Sequence, residues 1–172
     1  PELPDEKKKR FVDKFKLTPY EANILVSDIE TSKYFEDVIK NSDIKLATNW
    51  ITGELFALLN DRNLEISQSP ISSKNLSSLI NLIKDGTISG KIAKTVFEIM
   101  ANESKDPKSI IDEKGLKQQS DPKEIEKIVE DVIKDNPRNV ELFKSGKDKL
   151  FGFFVGQVMK KTDGKANPKL VN

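Results

Sequence analysis

The chain has 172 residues, enough for one sizeable core or two small ones, and its 36% hydrophobic content is that of a folding chain rather than a disordered one. It has no Cys and no His, which excludes disulfide scaffolds, thiolate and His-activated nucleophiles, Cys-ligated zinc and the usual neutral-pH general base. Net charge is only +1, so any preference for an anionic partner has to come from how the charges are distributed.

The first helix is expected around Lys7-Lys8-Lys9-Arg10, a basic run flanked by Glu2, Asp5 and Glu6 and therefore read as a solvated face. Thr18-Pro19-Tyr20-Glu21 is a capping box, with a hydroxyl, a proline at the first helical position and a carboxylate placed to return a hydrogen bond. Leu46, Trp50, Leu55, Leu58 and Leu59 are assigned to one face of a later helix. Leu64-Glu65-Ile66-Ser67 alternates, but four residues without a partner strand make a loop leading to Ser69-Pro70. Leu76, Leu79, Ile80 and Ile83 line the next helix. Asp85-Gly86-Thr87-Ile88-Ser89-Gly90-Lys91 has the ingredients of a phosphate cradle, yet reads more simply as a helix stop at Gly86 followed by an N-cap at Ser89.

Asp106-Pro107, Asp121-Pro122 and Asn136-Pro137 repeat the cap-then-proline device, and Asn167-Pro168 starts a last helix. Gly115 and Gly146 are further stops. The sum is roughly ten helices and no convincing strand, an all-α, multihelical chain. A division is placed at 101–107, giving a helical bundle over 1–103 and a smaller tail over 104–172. Glu124, Glu126 and Glu130 are spaced among lysines as a solvated face requires, not as an acid/base pair.

The most informative stretch is 145–161. As a helix it sets Leu150, Phe154 and Val158 on one line and Phe151, Val155 and Met159 on the next, a broad face for burial bracketed by lysines. Of Phe151, Phe153 and Phe154, two fall on that face, which favours core over base stacking. Gly152 and Gly156, one turn apart, are expected to let another backbone approach. The polar stretch Thr162 to Lys169, ending at a helix start, suits phosphate contact but lacks P-loop spacing. Charge supports this end. From Arg138 onward there are eight basic and three acidic residues, a net of +5, while the preceding 137 residues carry 21 basic and 25 acidic, a net of −4. Lys147, Lys149, Lys160, Lys161, Lys165 and Lys169 are the candidate phosphate contacts, with Asn167 as a polar reader. No catalytic residue and no metal site is assigned.

Several stretches together resemble one family almost end to end: Pro1-Glu2-Leu3-Pro4; Ala47-Thr48-Asn49-Trp50-Ile51 with Gly53-Glu54-Leu55; Asp85 to Lys94; Lys114-Gly115-Leu116-Lys117-Gln118; and Gly152 to Lys160 followed by Gly164-Lys165-Ala166-Asn167-Pro168. This is similar to the helical and tail regions of the glutamyl/aspartyl-tRNA amidotransferase B subunits, the tail being shared with free-standing YqeY-like proteins as a small three-helix domain. The resemblance implies a cytoplasmic heterotrimer completed by the A and C subunits of the amidotransferase. In it, an N-terminal domain outside this chain uses ATP and Mg²⁺ to phosphorylate Glu or Asp mischarged on tRNA, and ammonia from glutamine then displaces the phosphate. No cofactor is expected in these residues themselves. They are expected to grip the tRNA body by shape and backbone, without catalysis, with no membrane partner. The family pattern runs on past Val171-Asn172 into another apolar helix, so the tail is expected to be C-terminally truncated. The competing expectation is a protein-interaction module that docks onto the other subunits or a synthetase, with weak salt dependence and no tRNA affinity. A stand-alone enzyme is disfavoured by the lack of His, Cys and a nucleotide loop.

Overall fold

A computed structural model describes residues 2–172; Pro1 of the opening motif lies outside them. Among the described residues the chain is all-helical: α1 (Pro4–Phe15), α2 (Pro19–Leu25), α3 (Ile29–Ile39), α4 (Ile44–Trp50), α5 (Phe56–Asp61), α6 (Ser73–Lys84), α7 (Gly90–Glu103), α8 (Pro107–Lys114), α9 (Pro122–Asp135), α10 (Pro137–Lys144), α11 (Leu150–Lys161) and α12 (Pro168–Val171). The only extended pairing among them is an isolated parallel bridge between Gln119 and Ala166. Among the described residues no helix is long and apolar enough to cross a membrane.

The start signals act as their chemistry requires. Thr18 accepts from the Glu21 N–H at 3.2 Å, and the Glu21 carboxylate accepts from the Thr18 N–H at 2.7 Å. Asp106 and Asp121 accept from the Ser109 and Lys123 N–H groups, each offsetting one orphan donor of a helix N-terminus. Asn136 departs from expectation: its side chain makes no N-cap bond to α10 and instead donates back to the Val132 carbonyl at 2.8 Å, closing α9. Gly86, Gly115 and Gly146 all take positive φ after a helix, and the stretch after Leu64 is a loop with a short 3-10 turn at Ile66–Gln68.

Between α4 and α5 the chain makes a π-helical turn, Ile51–Leu55. The turn has a clear packing reason. Trp50 and Leu55 are five residues apart, which an α-helix would rotate off one face, and the wider i→i+5 turn keeps both buried. Thr48 and Thr52 line this segment, each hydroxyl donating to the carbonyl four residues earlier at 2.8 Å.

Two apolar clusters result. The first runs from Phe11 to Ile111 and is built mainly on α3, α6 and α7. Phe11, Phe15 and Phe35 stack in it, with Phe11 and Phe35 ring centroids 5.2 Å apart. The Tyr34 hydroxyl is buried and donates to the Ile71 carbonyl at 2.7 Å. The second cluster is much smaller: Val132, Val158 and Ala166, flanked by half-buried Ile128, Val129, Phe154, Met159 and Val171. The packing changes after Leu116, beyond the 103/104 division expected from the loop. The reason is α8, whose Ile110 and Ile111 are buried in the first cluster and which packs on α6 and α7.

Candidate nucleic-acid interface

Two cations of the first basic run, Lys7 and Arg10, are committed to carboxylates. Arg10 makes a bidentate pair with Glu2 at 2.7 and 2.6 Å and a further contact with Glu36 at 2.7 Å, and Lys7 reaches the Ser32 hydroxyl and Glu36. Lys8 reaches only the Asn23 side-chain oxygen, at 3.0 Å, and Lys9 is exposed, the mixture of paired and free charge that a solvated helix face carries.

In the tail the seven expected residues fall into two groups. Lys147 and Lys149 are exposed in the turn that precedes α11, while Lys160 and Lys161 sit in its last turn. At 1.5 Å per residue Lys149 and Lys160 are roughly 16 Å apart along the axis. Lys165 and Asn167 follow in the loop and Lys169 in α12, so five of the seven gather at the C-terminal end of α11. There Lys160 and Lys161 also complement the partial negative charge of the helix end, an ordinary reason for lysine at that place.

Their commitments differ. Lys161 pairs with Asp135 at 2.7 Å in an exposed contact, so an incoming phosphate would compete with a weak bond. Among the described residues Lys147, Lys149, Lys160, Lys165 and Lys169 have no carboxylate within 4.0 Å. Asn167 is engaged structurally: its side-chain oxygen accepts from the Lys169 N–H at 3.1 Å and its amide reaches the Ser120 hydroxyl at 3.4 Å. The helix it caps, α12, is a single turn, so little helix-terminal charge is added at this loop.

The apolar face of α11 is less covered than its periodicity suggests. Only Val158 is fully buried; Phe153 and Phe154 are half-buried and Phe151 is 46% exposed. Gly152 and Gly156 are exposed, and a Cβ on either would meet nothing within 4 Å, so neither serves the close packing expected of it. An open apolar groove of about 410 Å³ runs along this face, lined among others by Val132, Ile133, Phe143, Phe151, Phe154 and Val158. Phe143 and Phe154 meet edge-on across it, 6.0 Å apart.

Among the described residues no three His, Cys, Asp or Glu side chains converge to hold a metal ion. The displaced carboxylates are structural. Asp106 is held below the usual range chiefly by the hydroxyl and N–H of Ser109, and Asp43 by the Lys84 ammonium and the Leu46 N–H. Burial pushes the Tyr34 hydroxyl well above its ordinary value.

Sequence patterns do not single out the connector 118–120 as part of this site, and they favour a helix stop and cap over a phosphate cradle at the start of α7. Ser89 does cap α7, accepting from the Ile92 N–H at 3.2 Å, but Gln118 bonds to Thr87 and Gln119 to Lys165 and Asn167, which sets that stop-and-cap loop beside the tail loop. The two motifs lie about 75 residues apart in the chain, and local patterns cannot show such pairing.

Comparison with known proteins gives a consistent placement. A family model described as the GatB domain matches residues 33–172. The B subunit of the aspartyl/glutamyl-tRNA(Asn/Gln) amidotransferase from Pelagibacter ubique is 64% identical over 176 residues, covering all of this chain and 36% of the relative. The corresponding B subunits from Rickettsia rickettsii and Rickettsia bellii are each 52% identical over 172 residues, again covering all of this chain and 36% of theirs. The chain thus spans about a third of the length of the curated relatives it matches, and on this similarity it belongs to the family of aspartyl/glutamyl-tRNA amidotransferase B subunits.

Proposed function

We propose that this chain is a tRNA-gripping region of an amidotransferase B subunit, one that positions the RNA while the chemistry proceeds on another part of the protein. The observation that carries the reading is the gathering of Lys160, Lys165 and Lys169, without acid partners, at one end of α11, with the weakly committed Lys161 among them. Lysines on a solvated surface suit a polyanion backbone: each phosphate neutralised releases condensed counterions, with no base code read. Lys147 and Lys149, at the other end of α11, would meet a different stretch of backbone. In the parent enzyme, ATP and Mg²⁺ would act in the part outside this chain, the A and C subunits would be its partners, and the mischarged tRNA its substrate in the cytoplasm.

A second reading, docking onto another subunit or a synthetase, is favoured by one observation, the uncovered groove on α11. The two differ in salt dependence. Binding of fluorescently labelled tRNA to the 172-residue chain, titrated over a range of salt, should show affinity that falls steeply as salt rises, and Lys160→Glu with Lys161→Glu should abolish it. A folded chain that binds no tRNA at low salt would sink the first reading and leave the second.

A further inference from the structure

The loop that opens α7 and the loop that precedes α12 meet at a seam. The Gln118 N–H donates to the Thr87 carbonyl at 2.7 Å, the Gln119 N–H to the Lys165 carbonyl at 2.6 Å, and the Asn167 N–H to the Gln119 carbonyl at 2.9 Å. The connector is thereby tied to the first core on one side and to the tail on the other.

Across this seam lies Lys91. A Cβ built on Gly164 would stand 3.5 Å from Lys91 Nζ and 3.7 and 3.8 Å from its Cδ and Cε, so the whole outer half of the side chain passes over that residue. Gly164 is buried, and its φ of +77° is one that L side chains rarely adopt. Lys91 itself is exposed, and among the described residues no carboxylate lies within 4.0 Å of it. Its neighbour one turn along, Lys94, is committed to Glu54 at 2.9 Å. Of these two lysines on the outer face of α7, the one at the seam is therefore the uncommitted one.

The position matters because Lys165 is the next residue after Gly164. With consecutive Cα atoms about 3.8 Å apart, the Lys91 ammonium lies within roughly 9 Å of the Lys165 Cα. Lys91 on the first core and Lys165 on the tail thus lie at one seam without acid partners, while the carboxylates nearest in the chain to its loops are engaged: Asp85 accepts from Thr87, Glu124 from the Gln119 side chain and Asp121 from the Lys123 N–H.

We infer that Lys91 is part of the RNA-phosphate contact surface, so that the nucleic acid is held across the seam by the first core and the tail together. This rests on the reading of the tail as tRNA-gripping. The contact is one of charge to backbone phosphate, and its consequence is that the tail alone carries only part of the binding.

The test uses Lys91→Glu and Lys91→Gln, with Lys45→Glu as a control. Lys45 is an exposed lysine on α4 with no acid partner among the described residues, and α4 packs on α3 and α6. Binding of tRNA is measured against salt, with thermal melting to verify folding. Lys91→Glu is expected to weaken binding at low salt at least about tenfold, and Lys91→Gln less, each lowering the salt slope by about one, while Lys45→Glu binds as the wild type does. Wild-type binding that depends on Lys160 and Lys161 but not on Lys91 overturns the inference and leaves the tail reading intact. An equal loss in Lys45→Glu also overturns it, since the effect would then be one of net charge. No binding by the folded wild-type chain overturns both.

Discussion

The bundle and the tail are made of the same material, capped amphipathic helices, yet they bury it very differently. The first cluster holds 26 buried side chains, among them Phe11, Phe35, Ile51 and Leu79 at 0% exposure, whereas the second holds Val132, Val158 and Ala166. Five of the eight large hydrophobics exposed on the described surface belong to the tail: Ile133, Leu142, Phe143, Phe151 and Leu170. A region that leaves this much apolar surface open gains little from its own folding and leans on what it touches. The seam at 118–120 is what it touches within this chain.

The comparison breaks first if the bundle does not carry most of the stability. Phe35→Ala removes a fully buried ring stacked on Phe11 and Phe15, and the expected cost is about 3 to 5 kcal/mol, read as a large fall in the melting temperature. A fall of only about a degree or two would mean that the first core repacks freely. Val158→Ala is expected to cost less, about 2 kcal/mol from two buried carbons and the space they leave. Its sharper signature is spatial: by hydrogen exchange, amides of α9 and α11 should open more readily while those of α3, α6 and α7 keep their protection. Equal loosening of both regions would show one cooperative unit and remove the distinction.

How far the sequence carries this architecture depends on whether the deciding contact is local. Caps and stops are legible at Thr18, Ser89, Asp106 and Asp121, since a helix end is settled by the few residues around it. Asn136 reads as a start but acts as a stop, because the same side chain can bond forward or backward, and the Val132 carbonyl wins. Leu46, Trp50, Leu55, Leu58 and Leu59 read as one helix face, but the five-residue step within it does not announce the π turn that divides them between α4, the turn itself and α5. A Pro and Asn interruption marks a loop, and local pattern cannot say whether the core also changes there; the burial of Ile110 and Ile111 in the first cluster is a tertiary fact. In the candidate site, charge picks out the lysines, but their division between the two ends of α11, the pairing of Lys161 with Asp135 and the approach of Lys91 to Gly164 are tertiary facts. The burial expected for α11 is met only in part, at Val158 and around it, for a related reason. Periodicity shows that a face is apolar, and says nothing about whether another element covers it.

The smallest expected effect tests where one region ends and the other begins. Asp106 and Asp121 are the same device on either side of Leu116, each an aspartate before proline that accepts a backbone N–H of the helix it opens. Replacing either with Ala should cost about 1 kcal/mol, but the loss should be felt in different places. For Asp106→Ala it should appear in exchange from α8 and the helices it packs on, α6 and α7; for Asp121→Ala it should stay within α9 and its neighbours. Asp106 adds a pH signature. Its carboxyl is held below the usual range in the folded state, so its contribution is present above the unfolded carboxyl's titration and is lost as pH falls through the folded one. Asp106→Asn keeps an acceptor at the cap but cannot titrate, so it should flatten part of the acid limb of the bundle's stability profile. If Asp106→Ala instead loosened α9 and α11 and left α6 and α7 unchanged, α8 would belong to the tail after all, and the division would move back to the loop at 103/104.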